Sequence, residues 1–342
     1  SANIRPIMLT GDNLPTAFSI AKEVGICNTT KECINATELN DLSEKELIKY
    51  IKKYSVFARV SPENKLQIVK AIQKTGKVVA MTGDGVNDAP AIKLANVGIG
   101  MGKSGTDVTK DVSDIILLED SFNTITTAVS EGRRIYDNVI TNILYNLSSN
   151  FTEICIILFG MLTGNTIISA IHVLYIDLVA DTIPSITLAF EGASKDVMKR
   201  KPNGLNKRIF TRFFSAFLII SVILETIISL FVYYAFLNLG QPVAQTLALL
   251  SIIINEFVFA YNCRSLKEPI YKRGLFTNKY LNIGILFLLL IQIIVFFSPI
   301  GSIFGLTTIT ISQLIFVILV NLISFIIIEL LKPLIVKIFK DE

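Results

Sequence analysis

Six apolar runs dominate the chain from Asn138 onward, at about 141–163, 167–190, 213–237, 244–263, 281–298 and 311–331. A soluble core does not need uninterrupted apolar stretches of roughly 20 residues, but a bilayer does. The runs therefore predict membrane helices, whose backbone groups are satisfied internally. Inside them sit Glu153, Asp177, Asp181, Glu225 and Glu256, with no Lys or Arg. An intramembrane carboxylate costs on the order of 2.5–3.5 kcal/mol, so Glu153, Asp177, Asp181 and Glu256 would together cost roughly 10 kcal/mol if left unpaired. Such groups must be protonated, face a wet cavity or meet a cation. Asn150 lies three residues before Glu153, and Asp177 four before Asp181, so each pair shares a helix face. Pro184 cannot donate to the carbonyl of Ala180, which frees an oxygen beside Asp181. An oxygen-only donor set of this kind selects hard cations.

The formal charge is only +4, and its placement says more than its size. The segment 191–212 carries seven basic residues, Lys207 and Arg208 among them; Arg264, Lys267, Lys272, Arg273 and Lys279 follow the fourth run, and Lys332, Lys337 and Lys340 the sixth. The alternate loops, near Gly164, Gly240 and Gly301, have no basic residue. This alternation predicts a multi-pass protein of the plasma membrane with both termini cytoplasmic. The polar N-terminus, Ser1-Ala2-Asn3, predicts no signal peptide. Basic loops that abut membrane spans argue for lipid, not nucleic acid, as their partner. Cys27, Cys33, Cys155 and Cys263 have no metal-like spacing and are expected to be structural thiols in a reducing compartment. His172, the single histidine, is expected at the membrane interface.

Residues 1–137 alternate strand and helix patterns. Strands are expected at 4–9, 55–59, 77–81, 97–100 and 114–118, and helices at 12–24, 43–53, 62–74 and 87–95. Such alternation predicts a parallel, doubly wound sheet, which binds ligands beyond the carboxyl ends of its strands. Residues 121–137 read as a stalk helix that enters the first span without a loop. The expected division is therefore 1–137, an α/β domain with its stalk, and 138–342, an all-α bundle of six transmembrane helices.

Two strand ends carry chemistry. Thr10-Gly11-Asp12 ends the first strand. Thr82-Gly83-Asp84-Gly85-Val86-Asn87-Asp88-Ala89-Pro90 follows a later one. Gly83 and Gly85 allow a sharp turn and close approach to a ligand. Asp84 and Asp88 supply the hard oxygens that magnesium takes beside phosphate.

The nine-residue string resembles the hinge signature of P-type ATPases. Thr10-Gly11-Asp12-Asn13 is similar to that family's TGD motif, and Phe57-Ala58-Arg59-Val60-Ser61-Pro62 with Lys65 to its lysine segment. The resemblance implies a partial phosphorylation domain of the haloacid-dehalogenase-like, Rossmann-type fold. It implies that Thr10 and Gly11, with Asp12 in the same motif, bind the transferred phosphate and that Lys65 neutralises it. Asp84 would hold Mg2+, with Asn87 and Asp88 completing the site, and ATP would be the substrate. Ser148-Ser149-Asn150-Phe151-Thr152-Glu153, Asp177-Leu178-Val179-Ala180-Asp181 with Pro184, and Asn255-Glu256 resemble the fifth, sixth and eighth membrane helices of calcium and sodium–potassium pumps. By that match Asn150, Glu153, Asp181 and Glu256 form one cation site, and Asp177 with Asp181 part of a second. Asp177 stands where calcium pumps usually have Asn, and Ala180 where a Thr ligand is usual. The cytoplasmic sequence is nearer to bacterial calcium pumps, so calcium is the expected cargo; a sodium- or potassium-type pump or a non-catalytic membrane fragment is the alternative. The chain has no Asp-Lys-Thr-Gly, the family's phosphorylated motif. It is accordingly expected to be inactive alone, with a further polypeptide, the N-terminal half of a pump, as a partner.

Overall fold

The structure, a computed structural model, describes residues 2–40, 42–204 and 208–339. Ser1, Lys207 and Lys340 lie outside the described residues. Contacts gather into two compact units: one runs to Gly132 and includes the segment from Lys195, the other holds Arg133–Ser194 and the chain from Arg208.

The first unit contains two three-stranded parallel ladders, not one continuous sheet. In one, β1 (Met8–Leu9) and β2 (Cys33–Asn35) flank β3 (Val56–Ala58); in the other, β4 (Ala80–Gly83) and β6 (Ile115–Leu117) flank β5 (Val97–Met101). Leu9 and Ile72 pack against the apolar clusters of both ladders. The first strand is shorter than expected because Pro6 offers no N–H and Arg5 turns to the Tyr54 carbonyl at 2.7 Å. The strand β2 was not legible as a strand. The helices are α1 (Leu14–Glu23), α2 (Glu44–Lys53), α3 (Pro62–Lys74), α4 (Ala89–Leu94) and α5 (Asp107–Asp111). Asn13 caps α1 by accepting from the Thr16 N–H at 3.0 Å, and Ser61 caps α3 with Pro62 at its first position.

The helix α6 runs unbroken over Phe122–Thr163, so the stalk pattern and the first apolar run are one element. The second span is interrupted: α7 (Ala170–Tyr175) passes through a π-helical stretch, Ile176–Asp181, into α8 (Thr182–Leu188). The remaining spans are α9 (Arg212–Phe236), α10 (Gln241–Cys263), α11 (Lys279–Phe297) and α12 (Ile311–Ile338). Six helices are thus long and apolar enough to cross a membrane. The α10 span is 78% buried within the protein and α12 only 22%, which makes α10 the centre of the bundle and α12 a lipid-facing helix. Two expectations need correction. The last span continues past residue 331 and takes in Lys332, fully buried and paired with Glu329. That pair is held by the Asn262 carbonyl, which accepts from Lys332 at 2.8 Å, and by the Asn262 amide on Glu329 at 2.7 Å, so Glu329 is not simply interfacial. His172 is buried, not interfacial, because its ring joins the Ser169 N–H to the Phe304 carbonyl.

Candidate functional site

In the α/β unit the expected phosphate residues occupy the carboxyl ends of β1 and β4. The Thr10 hydroxyl donates to Asp12 at 2.9 Å and accepts from the Asp12 N–H at 3.1 Å, closing a tight turn. Two backbone bonds fasten that turn to the end of β3: Arg59 N–H to Asp12 O and Val60 N–H to Thr10 O, both 2.9 Å. Gly11 and Asp12 are exposed and Thr10 half-buried.

After β4, Asp84 and Asn87 face solvent while Asp88 is buried and forms an ion pair with Lys65 at the start of α3. Gly83 is required there: a Cβ on it would lie 2.5 Å from the Cβ of Asp88. The Asp84 carbonyl accepts from the Thr106 N–H at 3.0 Å, which fixes the turn from behind. The loop after β5 is held by a residue that carried no sequence signal. Asp120, at φ +50°, accepts from the N–H groups of Lys103 at 3.0 Å and Ser104 at 2.7 Å. The Lys103 N–H in particular holds the Asp120 carboxyl below its ordinary range. An exposed aspartate, a Lys-paired aspartate and a free amide are hard donors of the kind magnesium accepts. Cys27 and Cys33 meet with their sulfurs 3.8 Å apart; burial and the neighbouring thiol push Cys33 up to about 12, so it stays an inert thiol.

In the membrane unit the carboxyl groups converge. The Ser149 hydroxyl of α6 lies 2.7 Å from Asp181 Oδ2 and 2.7 Å from Glu256 Oε1. One hydroxyl carries one proton, so it can donate to only one of these acids. The Tyr145 hydroxyl donates to Asp181 Oδ1 at 3.3 Å. Glu153 Oε1, Glu256 Oε2 and Asn255 Oδ1 are buried with no hydrogen-bond partner. Glu153 lies within electrostatic reach of Asp177 and Asp181. Asn150, Asp177 and Asp181 line one pocket of about 260 Å³ with Asn146, Thr182 and Ser185. The π-helical stretch places both aspartates there, and Thr182 Oγ1 bonds the Asp177 carbonyl at 2.9 Å. Such stretches are frequent at functional sites. Among the described residues no three carboxylate, thiol or imidazole side chains form a metal site by themselves. Amide, hydroxyl and carbonyl oxygens would have to complete any coordination.

Sequence reasoning gave Ser149 no role and missed a clasp at one end of the bundle. Arg264, at the end of α10, spends all its donors there. It bonds both oxygens of Glu191 at 2.8 and 3.1 Å, Thr277 at 2.5 Å, Gly274 O at 3.0 Å and Leu275 O. Asn278 and Arg273 also bond the Glu191 carboxylate, and Asn138 of α6 bonds the Glu191 carbonyl, at 2.9, 3.1 and 2.9 Å. A charged residue immediately after two different apolar runs was the available signal.

Comparison with known proteins bears on both units. Residues 165–334 match the cation transporting ATPase C-terminus, and residues 1–96 the haloacid dehalogenase-like hydrolases. The chain is 39% identical to calcium-transporting ATPase 1 of Bacillus cereus, with 97% of this chain and 39% of that protein aligned. It is 39% identical to the calcium-transporting ATPase of Bacillus subtilis (90% and 35%) and 33% identical to calcium-transporting ATPase type 2C member 1 of Bos taurus (90% and 33%). The chain thus spans about two fifths or less of the relatives it matches. Its parallel α/β unit, its six apolar helices and these matches make it a member of the cation-transporting P-type ATPases, of which it carries the C-terminal portion.

Proposed function

We propose that this chain is the ion-binding and energy-coupling portion of an ATP-driven calcium pump. One observation carries the reading: Asp181 and Glu256, from different spans, share the single hydroxyl of Ser149 while Glu256 Oε2 and Glu153 Oε1 stay buried and unpartnered. Buried acids with spare oxygens and no opposing base call for a cation. Asn150, Glu153, Asp177, Asp181 and Glu256 are its ligands, with hydroxyl and amide oxygens nearby. The relatives named for calcium, together with the hard donor set, favour calcium as cargo.

In the cytoplasmic part, Thr10, Gly11 and Asp12 receive the transferred phosphate and Lys65 offsets its charge. Asp84, Asn87 and Asp88 hold Mg2+, which supplies positive charge to the phosphate oxygens when bound. β1 pairs only with β3, and β4 only with β5, among the described residues. A strand laid between β1 and β4 would end beside both motifs, and the nucleophilic aspartate belongs there. That aspartate, the nucleotide site and further membrane helices would come from sequence outside this chain. By itself the chain neither hydrolyses ATP nor forms a phosphoenzyme. Division at 137/138, a plasma-membrane location and cytoplasmic termini complete the reading.

The test uses the purified chain in lipid nanodiscs. A ligand at a hundred times its dissociation constant stabilises the folded state by about 2.7 kcal/mol. Calcium should therefore raise the unfolding temperature where sodium and potassium do not, and Asp181→Asn should remove the effect. Equal shifts with all three ions, or a calcium shift that survives Asp181→Asn, would sink the assignment.

A further inference from the structure

The carboxyl group left over by the cation site is Glu225, midway along α9. It is 3% exposed, and both bonds it receives fall on one oxygen: Thr152 Oγ1 at 2.9 Å and Ser148 Oγ at 3.3 Å from Oε2. Its other oxygen, Oε1, is buried and unpartnered. The same holds one and two α-helical turns further along, where the Ser229 hydroxyl and the Tyr233 hydroxyl are buried with no partner. Residues four apart follow one another along a helix face, so these three groups form a continuous polar line in an otherwise apolar helix. The line runs from mid-span towards the Gly240 end of α9, where the neighbouring Tyr234 reaches Thr163 at the end of α6.

Facing helices repeat the pattern. Near mid-length, α10 leaves Asn255 Oδ1 unpartnered, and α12 leaves Asn321 Oδ1 and Ser324 Oγ unpartnered. Asn321 bonds Ser251 across the α10–α12 contact at 2.9 Å, so these amides lie in the bundle interior, not against lipid. Buried polar groups almost always have a partner, protein or water. A lone unsatisfied hydroxyl can be tolerated, but a file of them on three packed helices is the signature of ordered water. The charged neighbours are all acids: Glu225 lies within electrostatic reach of Asp181 and Glu256, and no basic side chain among its contacts offsets them. Lys332 is bound at the far end of α12 to Glu329 and Asn262.

We infer that α9, α10 and α12 enclose a hydrated track, from Glu225 past Ser229 and Tyr233 towards the Gly240 end of α9, in which Glu225 carries an exchangeable proton. The track is separate from the pocket of Asn150 and Asp177, and takes water and protons where the pocket takes a metal cation. Its use follows from charge balance and rests on the calcium reading. When a divalent cation leaves Asp181 and Glu256, the acids left behind need compensating positive charge, and Glu225 can pass protons to them through water. Each step moves a proton between a carboxyl oxygen and a water molecule, with no other reactant.

The experiment uses the chain in nanodiscs with two readouts that need no calcium. Infrared spectra in H2O and D2O should contain a protonated-carboxyl band that shifts on exchange and is lost in the near-isosteric Glu225→Gln. Hydroxyl-radical footprinting should oxidise Tyr233, which has no bulk access but would touch track water; Ser229→Val should suppress that labelling. Survival of the whole exchangeable carboxyl signal in Glu225→Gln, or absence of Tyr233 labelling in the unmodified chain, would overturn the inference. If Glu225→Gln does not fold, Tyr233 labelling in the unmodified chain decides alone. A third readout, calcium-induced change in the carboxyl band, separates the two claims: no calcium response with an intact Glu225 band refutes the calcium reading and leaves the track.

Discussion

The turn after β4 and the acids between the spans both collect carboxylates, but they handle charge in opposite ways. In the α/β unit, the buried acid is Asp88, and it has its own cation in Lys65, while Asp84 and Asp12 stay in water. In the membrane unit Glu153, Asp181, Glu225 and Glu256 are all buried, none has a basic partner near it, and three of the four retain an unpartnered oxygen. The first arrangement is complete without ligand and can wait for one. The second is unbalanced until a cation or protons arrive. The difference teaches that the free energy of ion binding is stored in the membrane unit as incomplete coordination, whereas the phosphate turn contributes geometry.

The most direct way to break this contrast is to relieve the imbalance. Asp181→Asn and Glu256→Gln should each lower calcium affinity of the chain by about a hundredfold or more, since removing one partner from a buried charge interaction costs ~3–5 kcal/mol and 1.4 kcal/mol is tenfold. Both variants should fold at least as stably as the parent without calcium, because an uncompensated buried charge has gone. Isothermal titration and thermal unfolding in nanodiscs measure the two halves of this statement. A variant that lost calcium binding and stability together would mean that these acids are structural.

The bundle also contains a region built on the opposite rule, and it sharpens the comparison. Glu191 and Arg264 are buried, yet every donor of the guanidinium is used. Arg264→Ala should destabilise the helical unit by ~3–5 kcal/mol, the cost of leaving a buried charge alone. Arg264→Lys should recover only part, because an ammonium cannot reproduce the planar fork. Chemical denaturation followed by far-ultraviolet circular dichroism would report it. Near-equal stability of Arg264→Ala and the parent would show that water replaces the clasp.

These regions differ in how far they could be read from residue order. The six spans were legible because apolar runs of that length have one common explanation, and the acids were legible because they are costly there. Asp84, Asp88, Thr10 and Lys65 were legible through motif spacing, and α3 began at Pro62 as its capping signals required. The separate ladders were not, because strand pairing is a long-range property and β1 is only two residues long. Nor was the π-helical stretch, since Pro184 announces a broken hydrogen bond but not how the preceding turn absorbs it. Ser149, Glu191 and Arg264 were invisible for a related reason: their partners lie between 32 and 107 residues away.

A smaller effect tests whether the phosphate turn is in fact prebuilt. Gly83→Ala places a methyl group 2.5 Å from the Asp88 Cβ, so the turn must open. Overpacking of this kind costs ~1–3 kcal/mol. Stability of the α/β unit should fall by that amount, and Lys65 and Asp88 should separate. Magnesium binding, read by the thermal shift it produces, should weaken while calcium binding in the membrane unit stays as it was. A Gly83→Ala chain with unchanged magnesium response would mean that the turn forms around its ligand instead of ahead of it.

The smallest expected effect concerns pH and a residue outside both sites. Asp120 is held below its ordinary value of 3.8 chiefly by the Lys103 N–H, with the Ser104 N–H adding to it. A carboxyl whose folded pKa is depressed favours the folded state above its unfolded pKa, and that contribution disappears as pH falls through the folded pKa. Asp120→Asn should therefore lower the unfolding temperature slightly at neutral pH. The gap between the two chains should begin to close as pH drops through the ordinary aspartate range, and vanish below it. The residue is fully solvent-screened, so the gap should be smaller than the effects at Asp181, Arg264 or Gly83. Its shape matters more than its size: parallel curves at all pH values would mean that Asp120 orders the loop after β5 through its left-handed backbone, at φ +50°, and not through its charge. In that case Asp120→Gly, which relieves the backbone and deletes the carboxylate, should stabilise the chain where Asp120→Asn does not.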